Sequence, residues 1–344
     1  MALVFPVRRA KGENSTAAIL NQFLRDNLNL LHWRGAYQTA DVTKNNDATL
    51  ANLTGLSIPV VSGDVWLFGG HSFFISNATA DAKWAVTTPA GSTQRYGIVG
   101  AGTGIGDSSS TISGTGLAAG TSSVEDNEIF FGHVIAGADG AIQIQAAQNT
   151  PTVVNTIFRQ YSSLIGFRIS SIAGTSPIPS FSSSQVLDAG DLQTLISNAL
   201  NAIAFKRGLL REDVIANQET AGQALPGMSF PVRAGEIWAW FAFMYFVSND
   251  IANIAFGATA PAVSTGRYGI GASGTPITAG SSPTFGTMVK AGVPAATQQH
   301  ANFNGVIEAV ADGEVQLQMA QSTSTAVNTT VHQDSHFVAF RLAA

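Results

Sequence analysis

Residues 139–148 read Asp-Gly-Ala-Ile-Gln-Ile-Gln-Ala-Ala-Gln, and residues 312–321 read Asp-Gly-Glu-Val-Gln-Leu-Gln-Met-Ala-Gln. In both stretches apolar side chains alternate with amides, the period of a β-strand that buries one face. The Asp-Gly pair ahead of each strand suits the positive φ angles of a tight hairpin turn. The same strand written twice points to a repeated unit, and the flanks extend the match. Downstream, Asn155-Thr156, Ser162 and Phe167-Arg168 meet Asn328-Thr329, Ser335 and Phe340-Arg341 at an offset of 173 residues. Upstream the offset is 172: Asp41-Val42, Pro59, Gly63, Trp66, Ser76-Asn77, Pro89 and Arg95-Tyr96-Gly97 meet Asp213-Val214, Pro231, Gly235, Trp238, Ser248-Asn249, Pro261 and Arg267-Tyr268-Gly269. A period this long means two tandem domains rather than a solenoid of short repeats.

Each half opens with a helical pattern. Ile19, Leu20, Phe23, Leu24, Leu28 and Leu31 follow the potential caps Ser15 and Thr16, and Leu192, Leu195, Ile196, Leu200 and Ile203 follow Asp188 and Asp191. These stripes suit either docking on their own domain or a short bundle among subunits. The remainder of each half reads as short strands with frequent turn signals, the pattern of a jelly-roll-like β-sandwich. The expected class is therefore mainly β: two tandem jelly-roll-like β-sandwiches, each preceded by a short α-helix. The divisions are an N-terminal arm at 1–13, a helix plus first sandwich at 14–170, a Ser/Pro-rich linker at 171–187, and a helix plus second sandwich at 188–344. The Gly/Ser/Thr-rich intervals Gly100 to Gly120 and Gly271 to Gly292 differ between the copies and are expected to be surface loops rather than strands.

Charged residues make up only 11% of the 344-residue chain, against about 25% in ordinary soluble domains. A surface so poor in charge is weakly defended against association and is expected to be covered in part by other subunits. The net charge of -5 supplies no basic stripe for nucleic acid and no polybasic patch for a membrane. The longest apolar run, Ile237 to Val247, falls short of the ~20 residues of a membrane helix. With Trp66 and Trp238, that run is expected to be core. There is no cysteine, so disulfides and thiolate metal sites are excluded.

Little in the chain points to catalysis or a cofactor. Residues 269–274 read Gly-Ile-Gly-Ala-Ser-Gly, but a dinucleotide fingerprint needs a helix directly after it, and Thr-Pro-Ile-Thr-Ala-Gly follows. None of the six histidines pairs with another across the repeat. His332 and His336 would lie about 13 Å apart on a strand, too far to share a metal. The carboxylates common to both copies, Asp64/Glu236, Asp47/Glu219 and Asp139/Asp312, fit turns or strand edges. The polar residues both copies share are Arg95/Arg267, Tyr96/Tyr268, Gln143/Gln316, Gln145/Gln318, Gln148/Gln321 and Arg168/Arg341. That set holds no nucleophile, general base or metal ligands, so no enzyme and no cofactor are expected. The glutamines and arginines are instead candidates for a subunit interface, where amides near a threefold axis bond to their own symmetry mates. The alternative is that the glutamines simply face water on the polar side of a sheet.

The closing pattern of each copy, from Asp-Gly through the alternating amides to Ser162 and Phe167-Arg168, or Ser335 and Phe340-Arg341, resembles the C-terminal part of jelly-roll modules in tailed-bacteriophage virion proteins. The upstream Gly-Asp-Val-Trp and Arg-Tyr-Gly pieces are similar as well. This resemblance implies a homotrimeric virion protein assembled in the bacterial cytoplasm. It implies either a capsid decoration (cement) protein, with the major capsid protein as partner, or a tail, baseplate or fibre protein that meets a host glycan. For the first, Phe5, Arg8, Arg9 and Lys11 form a candidate capsid-tethering arm. For the second, aromatic residues in the variable intervals would be expected, and those intervals hold only Phe285.

Overall fold

A computed structural model of the chain describes residues 33–77, 79–100, 108–119, 125–170, 205–248, 251–271, 280–291 and 298–343. The arm, the two leading helices and the linker expected from the sequence lie outside these described residues. Among them, every helix or strand is a strand.

The first module comprises β1 (Trp33–Tyr37), β2 (Val42–Lys44), β3 (Ala51–Val60), β4 (Val65–Ile75), β5 (Ala82–Thr87), β6 (Thr93–Gly100), β7 (Ser108–Ser110), β8 (Leu117–Ala119), β9 (Asp126–Ile135), β10 (Gly140–Gln148), β11 (Thr156–Phe158) and β12 (Ser163–Ser170). The second repeats the series as β13 (Phe205–Leu209), β14 (Val214–Ala216), β15 (Gln223–Val232), β16 (Ile237–Val247), β17 (Ile254–Thr259), β18 (Thr265–Gly271), β19 (Gly280–Ser282), β20 (Val289–Ala291), β21 (Gln298–Glu308), β22 (Gly313–Gln321), β23 (Thr329–Val331) and β24 (His336–Ala343). Each module is a sandwich of an eight-stranded and a four-stranded antiparallel sheet. The large sheets run β1-β12-β4-β9-β6-β7 and β13-β24-β16-β21-β18-β19, with β11 and β2, or β23 and β14, attached beside β4 or β16. The small sheets run β3-β10-β5-β8 and β15-β22-β17-β20.

The alternation that opened the sequence reading explains the packing. Ile142 and Ile144 of β10, and Val315, Leu317 and Met319 of β22, point inward and are fully buried. They meet the inner face of the large sheet, where Trp66 and Phe68, or Trp238 and Trp240, are buried, and in the first module Trp84 of the small sheet adds a second indole to the core.

Two features of the fold depart from what the sequence implies. The Asp-Gly pairs do not close hairpins, because β9 and β10 belong to different sheets, and neither Gly140 nor Gly313 takes a positive φ. Asp139 Oδ1 instead accepts the Ser62 N–H at 2.9 Å, and Asp312 Oδ1 the Ala234 N–H at 2.9 Å, tying two sheet-crossing loops together. The glycine is needed for close approach: a Cβ at Gly140 would sit 2.9 Å from Pro89 Cγ, and one at Gly313 2.7 Å from Pro261 Cγ. Second, the Gly/Ser/Thr-rich intervals contain strands with a common role. β7 and β19 extend the large sheets, while β8 and β20 close the small ones. Tyr96 Oη donates to Thr115 O at 2.5 Å, and Tyr268 Oη donates to Thr287 O, so a shared tyrosine pins the same turn in both copies.

Candidate interaction surface

Five of the six shared glutamines, Gln143, Gln145, Gln148, Gln316 and Gln321, bond within their own modules. Between Gln143 and Gln145, strand β10 advances two residues while its partner β3 passes from Ser57 to Asn52. This wide bulge, turned by Gly55 at φ 90, strips Leu53 and Leu56 of ladder partners. The Gln143 Nε2 donates to both carbonyls, at 3.1 and 3.0 Å. The second copy repeats the arrangement, with Gln316 Nε2 donating to Leu225 O at 2.9 Å and to Met228 O at 3.3 Å. Gln148 accepts the N–H groups of Asp47 and Thr152 and donates to Val154 O at 2.7 Å. Gln321 accepts the Thr325 N–H at 3.2 Å and donates to Val327 O. Gln145, half-buried on the small sheet, donates to Asn52 Oδ1 at 2.9 Å, and Gln318 is half-buried at the equivalent place. These amides were candidates for bonds to symmetry mates. The structure places Gln143, Gln148, Gln316 and Gln321 against their own backbone, because the bulge and the loops supply orphaned backbone groups nearer at hand.

Arg168 and Arg341 likewise serve their own modules. Arg341 Nη1 donates to Glu236 Oε1 at 2.8 Å, while Glu236 Oε2 accepts the Trp238 indole N–H at 2.9 Å. Asp64 occupies the same place, 3.7 Å from Arg168 Nη1 and accepting the Trp66 indole N–H at 3.3 Å. Although Glu236 is partly desolvated, these bonds hold its carboxyl below the usual carboxylate range. The carboxylates that resembled ordinary turn residues in the sequence thus lock the entry of β4 and β16 to the end of β12 and β24.

Arg95 and Arg267 part company. Arg95 is exposed. Arg267 is buried because the outer faces of the two large sheets pack on each other. There Arg267 Nη1 donates to Glu125 Oε2, which also lies 3.2 Å from Arg159 Nε. Arg159 in turn pairs with Asp41 at 2.6 Å, so a chain of alternating charges crosses the junction. Ser281 Oγ donates to the second Glu125 oxygen at 2.8 Å, Asn127 Nδ2 to Asn304 Oδ1 at 2.9 Å, and Tyr161 Oη to Glu308 Oε2 at 3.2 Å. Between these polar contacts lies an apolar seam of Ile165, Ile237, Ala239, Val306 and Phe340, flanked by Trp33, Tyr37, Phe241 and Leu342. A Cβ on Gly35 would collide with Leu342, so the backbones approach closely there. The run Ile237 to Val247, expected to be core throughout, is therefore core on one face only. Its other face enters the seam through Ile237, Ala239 and Phe241, then emerges exposed at Phe243 and Tyr245.

His71 lies at this junction, between Phe73 at 4.9 Å and Phe241 at 5.5 Å between ring centroids, with Nδ1 3.2 Å from Ser163 Oγ. Complete burial drives its pKa down to about 3, so the ring is neutral. On β9, burial pushes Asp126 up to about 6. His332 and His336, expected on one strand, flank a turn instead: His332 pairs with Asp213 at 3.1 Å, while His336 stacks on Phe243 at 5.2 Å. Among the described residues no three of His, Cys, Asp and Glu gather where a metal could be held. Phe285, the single aromatic of the variable intervals, packs on Tyr268 at 5.4 Å and Trp240 at 6.2 Å rather than standing free.

The junction residues Glu125, Asn127, Tyr161 and Asn304 were missed by sequence reasoning, because none is shared between the copies. Two signals pointed to them. β16 is apolar on both faces, as a strand covered on both sides should be. The polar positions of β9 and β21 also differ from copy to copy.

No family model and no curated protein matches the chain. Solved structures give distant likenesses. The N-terminal CBM22-1-CBM22-2 tandem domain of Paenibacillus barcinonensis Xyn10C is 7% identical over 88% of this chain and 92% of that one, at a TM-score of 0.19. Vicilin from Corylus avellana is 9% identical over 88% and 83%, at 0.16. Bacillus subtilis oxalate decarboxylase is 12% identical over 87% and 75%, at 0.17.

Proposed function

We propose that this protein is a virion structural protein, a homotrimeric capsid decoration protein that binds and stabilises a bacteriophage head. The observation that carries the reading is the use of the large sheets. Their outer faces are rich in apolar side chains, part of each is sealed against the other within the chain, and the rest stays exposed, with Leu67, Phe131, Phe205 and Phe243 on a surface with few charges. Such a surface suits a subunit of an assembly. The resemblance of the closing strand patterns to jelly-roll modules of tailed phages supports the virion as that assembly. The shared polar residues point the same way: Gln143/Gln316, Gln148/Gln321 and Arg168/Arg341 hold loops and strand ends in place, which is framework and not catalysis. Capsid binding through several subunits at once multiplies modest single contacts, and the arm of residues 1–13, with Phe5, Arg8, Arg9 and Lys11, is the proposed tether. The other reading, a tail or fibre protein that binds a host glycan, needs free aromatic platforms in the variable intervals. Phe285 is already engaged by Trp240 and Tyr268.

Cosedimentation with capsids stripped of the protein tests the proposal. Saturable binding in multiples of three per lattice position is expected, and deletion of residues 1–11 should weaken it without dissolving the trimer. Absence of any binding to shells would overturn the decoration role and bring the glycan reading forward.

A further inference from the structure

The outer face of β16 does not end with the seam. Beyond Phe241 it continues through Phe243 and Tyr245, two rings on one side of the strand that are 45% and 38% exposed. In the ladder Phe243 stands between His336 of β24 and Asn302 of β21, and the His336 ring stacks on it at 5.2 Å, 27° from parallel. His332 is fixed beside Tyr245, because its backbone N–H donates to Tyr245 O at 2.8 Å. Both imidazoles are held by their Nδ1 atoms, His336 at 3.0 Å from Asp334 O and His332 at 3.1 Å from Asp213 Oδ2. A carbonyl and a carboxylate only accept, so each Nδ1 carries the proton and each neutral ring keeps Nε2 as an acceptor. Neither Nε2 has a hydrogen-bond partner among the described residues, and neither is buried.

We propose that this face binds a saccharide. A pyranose has an apolar flank of C–H groups that lies on an aromatic ring, and its hydroxyls donate to acceptors such as the two Nε2 atoms and exchange hydrogen bonds with the Asn302 amide. The first module supplies the contrast. There the counterparts of Phe243, Tyr245, His332, His336 and Asn302 are His71, Phe73, Arg159, Ser163 and Ile129. His71, Phe73 and Ser163 are fully buried, and Phe241 of the second module covers the His71 ring. A surface freed from such packing is expected to lose its rings to charged residues, yet the second module keeps a ring at both places. A face kept for a protein partner is expected to stay apolar at its centre, yet an amide and two imidazoles stand where the first module has Ile129, Arg159 and Ser163. Rings edged by neutral hydrogen-bonding groups match a ligand that is itself apolar on one side and rich in hydroxyls around it. The site lies on the sheet and not in the variable intervals, so it accompanies a decoration role and does not depend on it.

Saturation-transfer difference NMR on the full-length protein tests it, with the methyl β-glycosides of glucose, galactose, mannose and N-acetylglucosamine as probes. At least one is expected to receive saturation, strongest at the C–H protons of one ring flank. Phe243→Ala is expected to weaken that binding about tenfold, and Tyr245→Ala provides a second variant at an exposed position should the first fail to fold. Phe205→Ala removes an exposed ring that pairs with Phe340 rather than with either imidazole, and should leave binding unchanged. No saturation of any of the four probes, or saturation that both site variants keep in full, would overturn the site. Cosedimentation of Phe243→Ala with stripped capsids should match wild type. Loss of capsid binding in that variant, with no glycoside bound by wild type, would assign the face to a protein partner instead. Failure of wild type to bind capsids, with a glycoside bound at this face, would overturn the decoration role and uphold the site.

Discussion

Gln143 reaches the Leu53 and Leu56 carbonyls with one amide nitrogen, and Gln316 reaches Leu225 and Met228 in the same way. Replacing Gln143 by Ala leaves those carbonyls without their donor and is expected to cost about 1–3 kcal/mol, measured by urea unfolding. Gln143→Glu should cost more at pH 7, where a carboxylate faces carbonyl oxygens, and recover on acidification as the protonated acid regains a donor. Period-two alternation revealed both glutamines as positions shared by the copies. It could not reveal their partners, because the bulge that orphans the carbonyls is a matter of register between strands distant in sequence. A second residue-scale expectation concerns His71 and Asp126, whose buried titrations oppose each other. His71 has a folded pKa of about 3 against about 6.5 unfolded, so the stability it supports is intact above that unfolded value and is lost as pH falls towards 3. Asp126 has a folded value of about 6 against about 3.9 unfolded, so its burial penalises the fold fully above pH 6 and the penalty fades as pH falls. Between these limits the two slopes partly cancel. Asp126→Asn should stabilise the protein at pH 8 and steepen its loss of stability below pH 6. His71→Phe, which installs the ring found at the equivalent Phe243, should remove the acid loss. A stability profile unchanged in slope by either substitution would exclude these titrations as its source.

Among the elements, β16 was the most informative and the most misread. Its eleven residues, Ile-Trp-Ala-Trp-Phe-Ala-Phe-Met-Tyr-Phe-Val, are apolar in both registers. A continuous apolar run can signal a strand covered on both faces, and reading it simply as core missed the second covering. The Gly/Ser-rich intervals failed for the opposite reason. β7, β8, β19 and β20 are three residues each, too short to show any period, and the residues around them have turn chemistry. Their anchor was nonetheless visible as the shared Tyr96/Tyr268. Burial pushes the Tyr268 hydroxyl up to about 12, and its O–H donates to Thr284 O at 3.0 Å as well as to Thr287 O. Tyr268→Phe removes one donor from two carbonyls. It is expected to cost about 1–2 kcal/mol and to speed amide exchange selectively in residues 280–291, while exchange in the opposite small-sheet strand β15 stays slow. Equal acceleration across the module would show that the tyrosine supports the core as a whole rather than this turn.

At the scale of the whole molecule, the repeat was legible from spacing alone, whereas the way its copies meet was not. Identical modules could have been independent beads. The seam forms because the copies have diverged at the contact: Gly69 opposite Phe241, His71 opposite Phe243, Asn127 opposite His300. Those differences read as drift until the structure puts Phe241 against His71 and Asn127 against Asn304. A seam of buried apolar residues crossed by a chain of alternating charges through Asp41, Arg159, Glu125 and Arg267 should make the modules unfold together, since stability is shared where an interdomain interface is apolar and well packed. Val306 is fully buried in that seam and belongs to neither sandwich core. Val306→Asp therefore places an unpaired carboxylate between the modules while leaving both interiors untouched, at an expected loss of about 3 kcal/mol or more of coupling. Calorimetry should show one transition for wild type and two for the variant, with the far-ultraviolet dichroism of the folded state unchanged. A single transition in both, displaced but not divided, would mean that the modules are held together by contacts other than this seam.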